Sequence, residues 1–198
     1  MRGDFWLIIP SVLIAFYQSQ IVWKALPTAS VQDTEISGKY GKFEWKWYDL
    51  VKKMAYLLFW AQAFFVSYPI TTNQNGMLIL KVVGYIFVIF GLCISLSALK
   101  TLGTNWTGMM EYRIKKGQTL QKSGIYHYIR HPMYLAVILE AMGYELIVTS
   151  WLFFPVLLIT LWIHLRHIHN EEALLERKFG GEYLKYKKET RSLIPYLL

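Results

Sequence analysis

A single cysteine, Cys93, lies in the middle of an apolar run, so this 198-residue chain has no internal disulfide and no paired-cysteine redox motif. Charge is scarce as well. Only 17% of the residues are charged, against 55% hydrophobic and 17% aromatic, and the mean hydropathy is +0.29. Such a chain is too apolar for an ordinary soluble domain and short enough to be one unit. No low-complexity tract, lipidation motif or retention signal is present. Acids are the scarcer charge, 13 Asp and Glu against 21 Lys and Arg, for a net charge of +8.

What the chain has in quantity is hydrocarbon. Apolar runs fall at Phe5–Trp23, Leu50–Ile70, Met77–Leu99, Met133–Thr149 and Trp151–Leu165, each near the ~20 helical residues that cross a bilayer core, the last two being short. The expectation is an all-α integral membrane protein of about five transmembrane helices, a single domain with spans one to three in residues 1–99. Residues 100–198 then supply a cytoplasmic loop, spans four and five and a helical tail. Thr149-Ser150 with Trp151 should turn the last two spans into a tight hairpin. Six Lys and Arg fall in residues 24–53, six in 100–130 and seven from Arg166 onward, so 19 of the 21 map to one side. Basic loops stay cytoplasmic, which puts the N-terminus outside and the C-terminus inside. The basic charge is thereby a topology signal next to anionic lipid, and nucleic acid is not an expected partner. A cleaved signal peptide over residues 1–29 is the competing reading; Asp4 cancels Arg2, and Trp6, Phe16, Tyr17 and Trp23 read better as interface anchors.

The polar residues gather at the span ends. Ser123 through Tyr134 brings glycine, aromatics, Arg130 and His131 to the start of span four, and Asn170-Glu171-Glu172 closes span five. Pro132 suits a first helical turn and pushes His131 toward an extended conformation; the helix start then offers its N–H groups and dipole, with Arg130 beside it, to an anionic group. His167 and Glu171 are four apart on one helical face, and Glu172 is turned about 100° away. Carboxylates at a membrane edge are costly unless they hold a cation or a donor-rich ligand, so the two clusters suggest one pocket. The helix of span five should run on through Lys178 and stop at Gly180-Gly181, followed by a short helix over Glu182–Glu189 with Tyr183 and Tyr186 on one face and Lys185, Lys187 and Lys188 largely on the other. Gly84 and Gly91, seven apart in span three, suit close helix packing. Thr71 to Gly76 reads as an outer turn. Glu140 and Glu145 are intramembrane acids; a Glu140 pair with Tyr144 and an interfacial Glu145 are the plain alternatives to function. His164, His167 and His169 with Glu171 lack a second ligand group, and no metal is expected.

These residues carry a resemblance. Arg130-His131-Pro132-Met133-Tyr134, the preceding Gly124-Ile125-Tyr126, Glu171-Glu172, Phe179-Gly180, Tyr183, Tyr186 and Ile194-Pro195, with Leu102 to Trp106 before them, resemble the C-terminal signature of the isoprenylcysteine carboxyl methyltransferase family. Membrane phospholipid methyltransferases share part of it. The resemblance implies S-adenosylmethionine as cofactor and a lipid or prenylated acceptor admitted sideways from the membrane. It assigns Gln118, Thr119, Leu120, Gln121 and Tyr126 to the adenosine end of the pocket, and His131, Pro132, Met133 and Tyr134, with Arg130 beside them, to the cofactor-binding helix start. Glu171, with Glu172, becomes the cofactor's carboxylate contact. The family's substrate-facing arginine falls on His167, with Arg166 adjacent, and these two with Glu171 are the candidate catalytic residues. Family members often have His at the position of Gln118, an apolar residue at Gln121 and Gly at Ala136.

Sulfonium methyl transfer is an in-line displacement that a dry, aligning pocket accelerates through positioning. A carboxylate acceptor needs no base, whereas an amine does, with Glu171, Glu172 or His167 as candidates. Neutral imidazole at 167 holds an anion less surely than guanidinium, which leans toward an acceptor other than a prenylated carboxylate. The alternatives are an NADPH-dependent membrane reductase of the steroid-reductase type, which shares Arg-His-Pro-x-Tyr, and a non-catalytic lipid-binding protein. A methyltransferase of this kind would sit in the plasma membrane of a prokaryote or the endoplasmic reticulum of a eukaryote.

Overall fold

The computed structural model describes residues 70–106 and 113–194, with residues 34–37 and positions 9, 10, 13, 50 and 54 before them. The expected spans one and two therefore lie outside the described residues, apart from those isolated positions and Ile70. Four helices follow in order: α1 (Gln74–Leu102), α2 (Pro132–Val148), α3 (Phe153–Phe179) and α4 (Gly181–Glu189). Only the first, extended by a 3-10 turn to Asn105, is by itself long and apolar enough to cross a membrane among the described residues. The 17-residue α2 spans about 26 Å at 1.5 Å per residue.

The expected turn at Thr71–Gly76 is shorter in the structure, because Asn73 caps α1: its Oδ1 accepts from the backbone N–H of Asn75 at 2.9 Å and of Gly76 at 3.5 Å. One face of α1 is then buried at Lys81, Gly84, Val88, Gly91, Ser95 and Ala98, alternating three- and four-residue steps. The matching stripe on α2 includes Ala136, Glu140, Gly143 and Ile147. The two helices meet almost backbone to backbone. A Cβ on Gly84 would lie 2.6 Å from the Gly143 carbonyl oxygen, and one on Gly91 2.7 Å from Glu140 Cγ and 2.9 Å from the Ala136 carbonyl oxygen. The close packing expected of Gly84 and Gly91 is thus observed, and Gly143 completes it. Leu78, Ile79, Val82, Ile86, Ile89 and Phe90 point outward from α1, and Phe154, Leu158, Ile159, Trp162 and Leu165 from α3. Apolar faces of that size suit hydrocarbon rather than water.

The α2–α3 connection is the tight hairpin expected. Thr149, buried, takes the left-handed conformation at φ 56°, Ser150 Oγ accepts from the Leu152 N–H at 3.2 Å, and the Thr149 carbonyl accepts from the Ile70 N–H at 2.8 Å. α3 runs 27 residues, through the polar cluster, and ends as expected at Gly180, whose φ of +51° favours glycine.

The described residues also include β structure, so the fold departs from all-α. Thr34–Ser37 and Arg113–Lys115 form a two-stranded antiparallel ladder, β1 and β2. It ties residues 34–37 of the first basic stretch to residues 113–115 of the second.

Candidate functional site

The site forms where the start of α2, the latter half of α3 and the tail converge. His131 is the N-cap of α2, with Pro132 at its first position; its φ of −124° and ψ of 58° keep it out of the helical region, as proline demands of the preceding residue, without making it the extended residue expected. The backbone of residues 129–131 is pinned by the tail: Ile129 and Arg191 form a parallel bridge, the Arg130 N–H donates to the Arg191 carbonyl at 2.8 Å, and the His131 N–H to that of Ser192 at 3.0 Å. Leu193 then enters the core beside Tyr134, Ile138 and Ile168.

Side chains complete the clasp. Arg130 Nε donates to Glu172 Oε1 at 2.8 Å, while its Nη1 donates to the carbonyls of Thr190 at 2.6 Å and Lys187 at 3.2 Å. Lys187 Nζ bridges Glu172 Oε2 and Glu176 Oε1, both at 2.8 Å. His131 lies between the paired acids, its Nε2 3.3 Å from Glu172 Oε1 and its Nδ1 3.6 Å from Glu171 Oε2. Since carboxylates only accept, both ring nitrogens are placed as donors.

The electrostatics follow from these pairings. Burial by itself lowers the His131 pKa, but hydrogen bonding and proximity to Glu171 and Glu172 outweigh it and raise the imidazole above its ordinary value. Burial would raise Glu172, yet His131, Lys187 and Arg130 hold it far below the usual carboxylate range. Glu171 is likewise pushed up by burial and brought down more by His131 and a hydrogen bond from Tyr134. Burial first, then the Glu171 charge, raises the Tyr126 phenol, which puts that ring in the field of the same acid. Tyr126 is further fixed through its carbonyl, which accepts from the Tyr186 hydroxyl at 2.6 Å.

The two acids have separate tasks. The Glu172 side chain is 11% exposed with three cations on it, whereas that of Glu171 is 40% exposed and meets His131 only at ion-pair range. Glu171 is therefore the carboxylate with capacity for a ligand. Arg130, expected to serve an incoming anion, instead holds Glu172 and the tail.

Among the other expected positions, Met133 and Tyr134 are buried, Met133 against Ala98, Trp106 and Tyr126. Gln118 to Gln121 form an ordered loop: the Lys115 N–H donates to Gln118 Oε1 at 3.0 Å, Asn105 and Thr119 exchange bonds at 3.1 and 3.2 Å, and Gln121 Nε2 donates to Ser123 Oγ at 2.7 Å. Leu120 is half-buried. Asn105 is thus the loop anchor. His167 lies within the field of Glu171, but Arg166 is set apart, exposed and stacked 5.2 Å over the Trp162 ring. Lys187, placed by periodicity on the outer face of α4, turns back over the site, as a long flexible stem allows. Thr190 to Leu193 carried no sequence signal for a role here. Within the bundle, Glu140 receives the Ser95 hydroxyl at 3.5 Å from α1, and Glu145 is buried one turn before the end of α2.

A profile of the phospholipid methyltransferase family matches residues 79–182, just over half of the chain. The chain belongs to that family. It is similar to the human protein-S-isoprenylcysteine O-methyltransferase, with 30% identity over 119 residues, 60% of this chain and 42% of the relative. The Xenopus laevis protein of that name is 27% identical over 155 residues, 73% of this chain and 50% of its own. Among solved structures, the eukaryotic intramembrane Ras methyltransferase, isoprenylcysteine carboxyl methyltransferase, superposes with a TM-score of 0.60 at 21% identity, covering 77% of this chain and 53% of that one. That likeness shows the fold, that of an intramembrane protein. The chain spans about half the length of the curated relatives it matches. The resemblance read from the motifs is borne out.

Proposed function

We propose that this phospholipid methyltransferase family member is a membrane methyltransferase that uses S-adenosylmethionine and acts on a lipid-like or prenylated acceptor. The observation that carries the reading is the unequal pair Glu171 and Glu172. One carboxylate is spent on structure; its neighbour is ionised, half-exposed and lined by Tyr126, Tyr134 and His131. A cofactor with a sulfonium and an ammonium fits a carboxylate in that state. Glu171 would hold it, with the Gln118–Gln121 loop and Tyr126 closing one side and the start of α2 the other. The bound cofactor would supply an electrophilic methyl group.

The chain's own contribution is orientation and exclusion of water. The clasp of Arg130, Glu172 and Lys187 fixes the tail, the tail fixes residues 129–131, and the buried His131 thereby presents its ring to Glu171 at a set angle. The outward apolar faces of α1 and α3 keep the site at the membrane, where an acceptor with a hydrocarbon tail partitions. Isoprenylcysteine O-methyltransferases among the relatives support a prenylated acceptor; the family profile supports a phospholipid.

The test is calorimetric binding of S-adenosylmethionine to the purified protein in detergent. Micromolar binding is expected, and Glu171→Gln should weaken it by about 1.5–3 kcal/mol, the worth of a charge-assisted hydrogen bond. His167→Ala should leave binding near wild type and lower turnover. Normal cofactor binding by Glu171→Gln would refute the assignment, and a response to NADPH alone would return the reductase reading.

A further inference from the structure

One turn before His167, on the face of α3 that carries Leu157, Leu161 and Ile168 toward Tyr134, stands His164, buried at 5% exposure. Its Nδ1 lies 2.7 Å from the Thr160 carbonyl oxygen. A carbonyl only accepts, so Nδ1 carries the proton and, in the neutral ring, Nε2 is a bare lone pair. That Nε2 is itself buried and has no hydrogen-bond partner among the described residues. The ring stands edge-on to Tyr134 at 5.5 Å and 6.5 Å from His167, and Tyr134 in turn hydrogen-bonds Glu171. An orphaned acceptor in an apolar layer is a standing cost that phenylalanine at the same position would remove. It is held, tautomer fixed, one aromatic ring away from the cofactor's carboxylate.

We infer that His164 Nε2 is the acceptor for a proton on the nucleophilic atom of the substrate, which makes that substrate an amine or a hydroxyl rather than a carboxylate. The inference rests on the methyltransferase reading and deepens it. An ammonium or hydroxyl group of the substrate donates its N–H or O–H to Nε2, and the proton passes to the ring. The nucleophile's freed electron pair forms a bond to the methyl carbon while the carbon–sulfur bond breaks, its pair remaining on sulfur. A carboxylate brings no such proton and would face the lone pair with a second one. Thr160 acts as the positioning partner, holding the ring in the tautomer that can accept.

The experiment compares wild type, His164→Phe and His164→Gln in detergent micelles for melting temperature, S-adenosylmethionine binding, and methyl transfer to phosphatidylethanolamine, farnesol and a farnesylated cysteine. His164→Phe should melt at or above wild type and bind the cofactor within about twofold, yet transfer methyl to the amine or the alcohol at least ~100-fold more slowly, the range of a lost general base. His164→Gln keeps an acceptor oxygen but cannot take the proton, so KM should stay within a few fold while kcat falls. The phosphatidylethanolamine and farnesol arms decide between amine and hydroxyl. Wild-type turnover by His164→Phe overturns the inference. So does transfer confined to farnesylated cysteine, transfer to none of the three, or a His164→Phe that melts well below wild type, which would show the lone pair already satisfied. Those outcomes leave cofactor binding intact; a wild type that binds no S-adenosylmethionine brings down the methyltransferase reading as well.

Discussion

Removing Arg130 should release the tail. The guanidinium is only 9% exposed and makes three bonds, one to the Glu172 carboxylate and two to the carbonyls of Lys187 and Thr190. Arg130→Met keeps most of the stem and takes away every donor. Breaking a buried ion pair by deleting one partner costs about 3–5 kcal/mol, because the other charge is left buried. Glu172 retains Lys187 and His131, so the lower end applies. At roughly 2–4 °C per kcal/mol for a chain of this size, the melting temperature should fall by about 6–12 °C. Arg130→Lys should recover less than half of that, since a point charge cannot reach a carboxylate and two carbonyls together. The loss should be local at first, so limited proteolysis should cut near Thr190 well below the melting point. The double variant Arg130→Met with Glu172→Gln should be less destabilised than the sum of the singles, because the orphaned charge is gone. A melting temperature within a degree of wild type together with a protected tail would refute the clasp.

At the helix contact, Gly84→Leu or Gly143→Leu should destabilise by roughly 1–3 kcal/mol or more, read as loss of a monodisperse detergent peak, since each Cβ would lie 2.6 Å from a facing carbonyl oxygen; normal melting in both would exclude the close α1–α2 crossing. Melting temperature against pH should give a maximum between about 4.5 and 6.5. The raised His131 contributes fully below its ordinary 6.5 and is lost as pH rises through its higher folded value. The lowered Glu171 and Glu172 contribute fully above their ordinary 4.5 and are lost as pH falls through their lower folded values. In His131→Asn the alkaline decline should flatten, and an unchanged profile would refute the coupling.

How legible the site was in the sequence depended on the range of the signal. Gly180 as a helix end, Pro132 as a helix start, and Gly84 and Gly91 as a packing face are local or periodic features, and the chain obeys them. The partners of the charges are not local. Arg130 and Glu172 are 42 positions apart, and two acids with several nearby cations admit several pairings that only the packed bundle decides between. The anion-binding role expected of Arg130 was chemically sound; its Nε and Nη1 donors are taken by the chain itself. The ladder between residues 34–37 and 113–115 and the bridge of Arg191 to Ile129 were invisible for a related reason. Three- and four-residue strands carry too little alternation to be seen, and their register is set by the loops they join.

The lengths of the helices explain why the chemistry sits where it does. About 20 helical residues cross a ~30 Å hydrocarbon core, and counting 20 from Phe153 along α3 ends at Glu172. A helix crossing such a core from Phe153 would bring Glu171 and Glu172 to its edge, where acids are ionised at far lower cost than in its middle. α2, at 17 residues, is about 4 Å short of that thickness, and its start at His131 and Pro132 packs beside Glu171 and Glu172. A short helix beside a long one leaves a step. The tail crosses that step, α4 covering it with Tyr183 and Tyr186 and the Arg130 clasp tying it down, and the Glu171 side chain stays 40% exposed beside it. Lengthening α2 by a full turn would lift His131 past Glu171 by about 5 Å and abolish the pairing while leaving every residue of the motif in place. The pairing of His131 with Glu171 and Glu172 thus depends on the difference in helix length as well as on the motif.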